Sequence, residues 1–153
     1  MMSEKIKPLI SSDRPRIWKY WAHAGPVRSR FLIELRDNKR IMGTRCSQCK
    51  RVYVPARSTC IKCFSELTEW VEVSNKGTLV DYTVVYRAEP SHPMKPPFAY
   101  GIIMLDGADT ALVHVLGDVA PKDIKIGMRF EAVFAPERKG HILDIKHFRP
   151  LTE

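Results

Sequence analysis

No stretch of about 18 consecutive apolar residues occurs in the chain, so hydropathy supports no membrane-spanning helix. The first ten residues set Glu4, Lys5, Lys7 and Pro8 among scattered hydrophobics, unlike the apolar run of an export signal. The expectation is a soluble, cytoplasmic protein without a membrane partner. G-x-G-x-x-G, the P-loop, G-x-S-x-G and H-E-x-x-H are all missing, which leaves the common nucleotide-binding, hydrolase and metalloprotease chemistries without support. There is no internal repeat and no low-complexity tract. What remains is 153 residues of 44% apolar composition, enough to bury the core of one compact domain or two small modules.

The charge is uneven. Residues 1–70 carry 15 Lys and Arg against 6 Asp and Glu, whereas residues 71–153 carry 10 against 11, so the whole excess behind the net +8 lies in the first part. That asymmetry fits an acidic or phosphorylated partner for the N-terminal half. It counts against a nucleic-acid groove on the C-terminal half, which would need positive charge along the backbone track.

Three modules follow from the pattern: an N-terminal helical extension over 1–40, a cysteine module over 41–70 and a β module over 71–153. In the first, Ile17, Trp18 and Trp21 form a helical stripe that Gly25-Pro26 is expected to interrupt, and Phe31, Leu32 and Leu35 resume it. These residues either pack on the protein's own core or present aromatics to a partner, where aromatics are enriched. In the β module, Gly77–Tyr86, Ala99–Leu105, Thr110–Leu116, Met128–Ala135 and His141–Phe148 read as strands. Asp106-Gly107 marks a hairpin turn. The four prolines between Arg87 and Phe98 exclude regular structure there. Five strands with Phe130, Ala132 and Phe134 on one face predict a mainly β chain ending in a five-stranded OB-fold barrel.

The strongest signal is Cys46-Ser-Gln-Cys49 followed, ten residues on, by Cys60-Ile-Lys-Cys63. Each C-x-x-C turns two sulfurs toward one ion, and two such knuckles supply the four thiolates of a closed tetrahedral Zn²⁺ site. The reading is one structural zinc per chain. Disulfides or thiol-redox chemistry are the alternative, disfavoured by a reducing compartment; iron in a rubredoxin-like cage uses the same geometry and stays open. A closed Cys₄ site leaves no position for substrate, so the metal holds a fold together, by about 10–16 kcal/mol in zinc-finger peptides. Arg45, Lys50, Arg51, Arg57 and Lys62 offset the site's negative charge or, alternatively, hold phosphate. The five histidines show no ligand spacing. His92, in the proline-stiffened loop with Met94 and next to Phe98, is a candidate for contact with a partner or a substrate channel, the other reading being a plain surface loop.

The order of these parts resembles the DUF35 family, in which a rubredoxin-like zinc ribbon precedes an OB-fold. The resemblance runs through Tyr20-Trp21, Arg45-Cys46, Cys49, Cys60, Cys63, Glu69–Val73, Gly77-Thr78, Tyr82–Val85, Pro96-Pro97-Phe98, Leu105-Asp106-Gly107 and Ile126-Gly127. It implies a non-catalytic partner of a larger thiolase-fold subunit, with acyl-CoA or CoA at the shared interface. Within the family the chain is similar to the small subunits of two-subunit thiolases, including that which cleaves benzoylsuccinyl-CoA with CoA in anaerobic toluene breakdown. Trp18, Trp21, Phe31, His92, Met94 and Phe98 are then the candidate contacts with that partner or its channel. Two departures stand out: a longer stretch between Trp21 and Cys46, and Lys50, Ile61 and Phe64 where the knuckles often have small residues or proline. The competing reading is a single-stranded nucleic-acid-binding module, with Tyr82, Tyr86 and Phe98 available to stack bases.

Overall fold

The computed structural model describes residues 23–151; Trp18 and Trp21 lie outside them. The described chain begins with one helix, α1 (Gly25–Asn38). Gly25-Pro26 opens this helix, because Gly25 turns in at φ 70° and the fixed φ of Pro26 suits the first helical turn; the helix expected before it lies outside the described residues. Lys39 ends it in the left-handed conformation. The face carrying Phe31 and Leu35 is buried, at 2% and 0% exposure, in the main core. Phe31 is therefore packed in the chain's own core, its edge lining a hollow of about 380 Å³ beside Leu32 and Ala56.

Strands β1 (Ile41–Arg45), β2 (Val52–Tyr53) and β3 (Glu69–Val73) form a three-stranded antiparallel sheet in the order β2-β1-β3. The other five close a barrel. They are β4 (Lys76–Val85), β5 (Phe98–Leu105), β6 (Leu112–Leu116), β7 (Arg129–Phe134) and β8 (Ile145–Pro150), ordered β4-β5-β6-β8-β7 with β7 pairing back onto β4. All neighbours are antiparallel except β6 and β8. A register shift between Leu79 and Asp81 bends β4. Gly77 is there for space: a Cβ would collide with the carbonyl of Met104 on β5.

Leu79, Ile103, Phe130, Ile145 and Phe148 fill the barrel at 0% exposure, each worth about 1.5–3 kcal/mol of transfer free energy. The core is continuous with Ile41, Val52 and Val73 of the three-stranded sheet and with Val54 just past β2. Two expected strands begin late. His141–Phe148 becomes a 3₁₀ turn over Ile142–Asp144 followed by β8, because buried Asp144 gathers the amides of Lys139, Gly140 and His141 at 2.8–3.1 Å. Thr110 leaves β6 because its hydroxyl is engaged by Val54, the residue after β2. Among the described residues no helix is long and apolar enough to cross a membrane.

Candidate metal centre

The two knuckles repeat one backbone design. Cys46 N–H donates to the Arg51 carbonyl and Cys60 N–H to that of Ser65, both at 2.9 Å; Lys50 and Phe64 N–H close the turns on the carbonyls of Cys46 and Cys60 at 3.0 and 2.9 Å. Cys49 N–H points at Cys46 Sγ at 3.5 Å and Cys63 N–H at Cys60 Sγ at 3.3 Å. Closing so tight a turn requires a left-handed residue just past each second cysteine. Lys50 (φ 62°) and Phe64 (φ 57°) take those positions, each at a cost of order 1 kcal/mol for a residue with a Cβ.

The four sulfurs lie within 4.8 Å of one another. Cys49 and Cys60 Sγ are 3.6 Å apart, and all four thiols are free. A disulfide needs about 2.05 Å, whereas the edge of a Zn–S₄ tetrahedron is about 3.8 Å for 2.3 Å bonds. Cys46 and Cys60 are buried with Tyr53 and Leu67 in a small core of their own.

The hydrogen bonds define the charge state. Ser65 Oγ lies 3.3 Å from Cys46 Sγ and, with the Cys49 amide, draws that thiol down to about 6. Tyr53 Oη lies 3.2 Å from Cys60 Sγ, and this bond and burial raise the phenol's pKa so that it stays a donor. The Cys63 thiol moves the opposite way, up to about 12, through its contact with Cys49, burial and the neighbouring sulfurs. Four thiolates cannot coexist there without a cation. Closely packed sulfurs with preset N–H and O–H donors fit a divalent ion that supplies the missing positive charge, and with all four positions taken they leave no open site for substrate.

Residues 34–69 match the family described as ChsH2, rubredoxin-like zinc ribbon domain, and residues 70–135 match ChsH2, C-terminal OB-fold domain. A DUF35 domain-containing scaffold protein of Methanocaldococcus jannaschii is 35% identical over 61% of this chain and 67% of its own. One from Pyrococcus furiosus is 29% identical over 82% and 93%. A probable enoyl-CoA hydratase alpha subunit of Thermomonospora curvata is 28% identical over 64% of this chain but only 30% of its own length. Among solved structures, an Ltp2-ChsH2(DUF35) aldolase superposes with TM-score 0.60 at 25% identity, over 80% of this chain and 93% of that one. A DUF35 protein from Sulfolobus solfataricus shares the fold, with TM-score 0.62 at 23% identity over 82% and 84%. The chain belongs to the DUF35 family of zinc-ribbon and OB-fold proteins. Its zinc is structural, held in the rubredoxin-like ribbon.

The remaining candidates are spread apart. Phe98 is buried at 3% exposure and anchors the proline loop, with the rings of His92 and Tyr100 edge-on at 5.4 and 5.3 Å. His92 is half-buried, its Nδ1 accepting the Glu89 amide at 3.3 Å, and Met94 stands 39% exposed. His114 lies in the barrel against Phe148, its pKa lowered mainly by burial. The outer face of β5 and β6 presents Tyr100, Ile102 and Val113 over two hollows of about 250 and 210 Å³. Neither hollow is lined by Lys or Arg, so this face lacks the cationic lining that a single-strand groove needs. The sequence reading missed Tyr53 and Ser65, which no motif spacing flags, and this outer face, which the period-2 alternation of β5 could have revealed.

Proposed function

We propose that the chain is a non-catalytic, zinc-stabilised partner subunit of a larger thiolase-fold enzyme acting on acyl-CoA, bracing that subunit and shaping its acyl-CoA site. The observation that carries this reading is the open apolar face of the barrel, where Ile102 is 36% and Val113 60% exposed. An apolar strand face left to solvent suits a docking surface better than a free monomer. The names of two similar proteins point the same way: an aldolase in which a DUF35 protein is joined with Ltp2, and a subunit of a probable enoyl-CoA hydratase.

On this reading the parts divide the labour. The ribbon of residues 41–70 stiffens the base, the barrel of 71–153 meets the large subunit, and the extension of 1–40 adds surface through Trp18 and Trp21. His92 and Met94 reach from the proline loop toward the interface, with Phe98 holding the loop from below. The finer assignment, cleavage of benzoylsuccinyl-CoA with CoA to benzoyl-CoA and succinyl-CoA, rests on the family resemblance alone. The test is co-expression of the tagged chain with a candidate thiolase-fold large subunit, followed by turnover assays on the purified complex. A stable complex that turns over an acyl-CoA neither protein handles alone supports the reading; separate elution of the two proteins refutes it.

A further inference from the structure

The two zinc knuckles are alike in backbone and unlike in what they show to solvent. At the left-handed position the first carries Lys50 and the second Phe64. Phe64 is 81% exposed, the highest value among the large hydrophobics that stand open to solvent, and Ile61 beside it is 55% exposed. Glycine satisfies such a turn without strain. A phenylalanine there sits in a backbone region unfavourable to its Cβ while its ring stays in water, so it contributes to folding through neither conformation nor burial. Ser65 and Cys63, on either side of it, are each turned into the site; Phe64 alone faces away.

The surroundings define what would cover this tip. Residues 45–64 hold five cations, Arg45, Lys50, Arg51, Arg57 and Lys62, and no Asp or Glu. Arg45 is engaged by Glu69 at 3.0 Å. Lys50, Arg51 and Lys62 are exposed and make no salt bridge among the described residues. The nearest acid in sequence is Glu66, which is exposed. An exposed aliphatic and an exposed aromatic side chain, flanking Lys62 on a segment with five cations and no acid, match an apolar socket with an acidic rim.

We infer that Ile61 and Phe64 form a second docking point, the tip of the zinc ribbon, which seats in an apolar, acid-rimmed socket on the larger thiolase-fold subunit. The inference rests on the partner-subunit reading and adds a contact on the ribbon to that on the barrel face. It makes the metal a spring for recognition: zinc holds the second knuckle closed, and the closed knuckle projects Phe64.

Stability and binding should part company at this residue. Phe64→Gly relieves the backbone, so the variant is expected to keep one zinc per chain and melt at or above the wild-type temperature. Its affinity for the co-expressed thiolase-like protein, measured by biolayer interferometry on the full-length chain, should fall at least about tenfold, the loss typical of an aromatic anchor. Phe64→Asn, which also tolerates the left-handed region, should behave alike and guards against a folding artefact of glycine. Lys50→Gly relieves the same strain in the first knuckle and should weaken binding only a few-fold through the lost rim charge. A wild-type chain that ignores the thiolase overturns both the partner reading and this inference. A wild-type chain that binds it, with both Phe64 variants binding equally well, overturns this inference alone.

Discussion

Asp109 and Val52 exchange two hydrogen bonds between the barrel and the zinc ribbon. Val52 N–H donates to Asp109 Oδ2 at 2.8 Å, and Asp109 N–H donates to the Val52 carbonyl at 2.9 Å. Thr110 repeats the exchange with Val54, accepting its amide at 2.8 Å and donating to its carbonyl at 3.0 Å. The tip of the β5–β6 hairpin thus serves as a further strand for the edge of β2, which is only two residues long. Four hydrogen bonds join the metal module to the barrel at this edge.

Replacing Asp109 by alanine should therefore cost about 1–3 kcal/mol, the range for stranding a partly buried backbone donor. Chemical denaturation checks the magnitude. Hydrogen exchange supplies the location: the Val52 amide should exchange faster while barrel amides such as that of Ile103 keep their protection.

Metal removal should act through the same joint. With Cys46→Ser, or with an excess of chelator, the thiolates lose the cation that offsets them and the ribbon should unfold. Elemental analysis is expected to fall from one zinc per chain to near none. The melting temperature should drop together with it, because β2 would no longer brace the hairpin tip.

Asp144 offers a test away from the metal. It is 3% exposed and accepts three amides, those of Lys139, Gly140 and His141. Asp144→Ala leaves those donors without a partner and should destabilise the barrel by about 3 kcal/mol. Asp144→Asn keeps the shape and acceptor oxygen of one arm, so its loss should be smaller.

His114 makes the stability depend on pH. It is 4% exposed, and burial lowers its pKa below the ordinary 6.5, with the hydrogen bond to the Ile142 carbonyl acting against the shift. A base whose folded pKa is depressed binds more protons when unfolded, so stability rises with pH across the window between the two values. Its contribution is complete above 6.5 and is lost as pH falls through that value toward the lower folded one. In zinc-saturated buffer, His114→Gln should flatten the fall in stability between about pH 7.5 and about pH 5.5. The His114 ring protons should titrate below those of a free histidine by NMR.

How much of this was legible beforehand depended on the reach of each signal. Cys46, Cys49, Cys60 and Cys63 announce themselves because both knuckles are local turns, and the strands of the β module were readable because alternation reports one-sided burial. Features set by contacts distant in sequence were not. That Gly25-Pro26 would open α1 depends on the packing of Phe31 and Leu35 further along the helix. The strand expected from His141 starts at Ile145 because Asp144 finds three amides. Phe31 and Phe98 look the same in sequence whether they face a partner or the core, and packing places both inside. Nothing local separates Lys50 from Phe64, whose shared left-handed turn appears only when the knuckles are folded.

The central claim, a zinc-stabilised subunit that works by joining a larger acyl-CoA enzyme, is tested most directly by the mass and metal content of what co-purifies with the tagged chain. Light scattering after co-expression with a candidate thiolase-fold large subunit should give a hetero-oligomer carrying about one zinc per copy of this chain. A zinc-loaded chain that elutes alone and retains single-stranded oligonucleotide in low salt would contradict it.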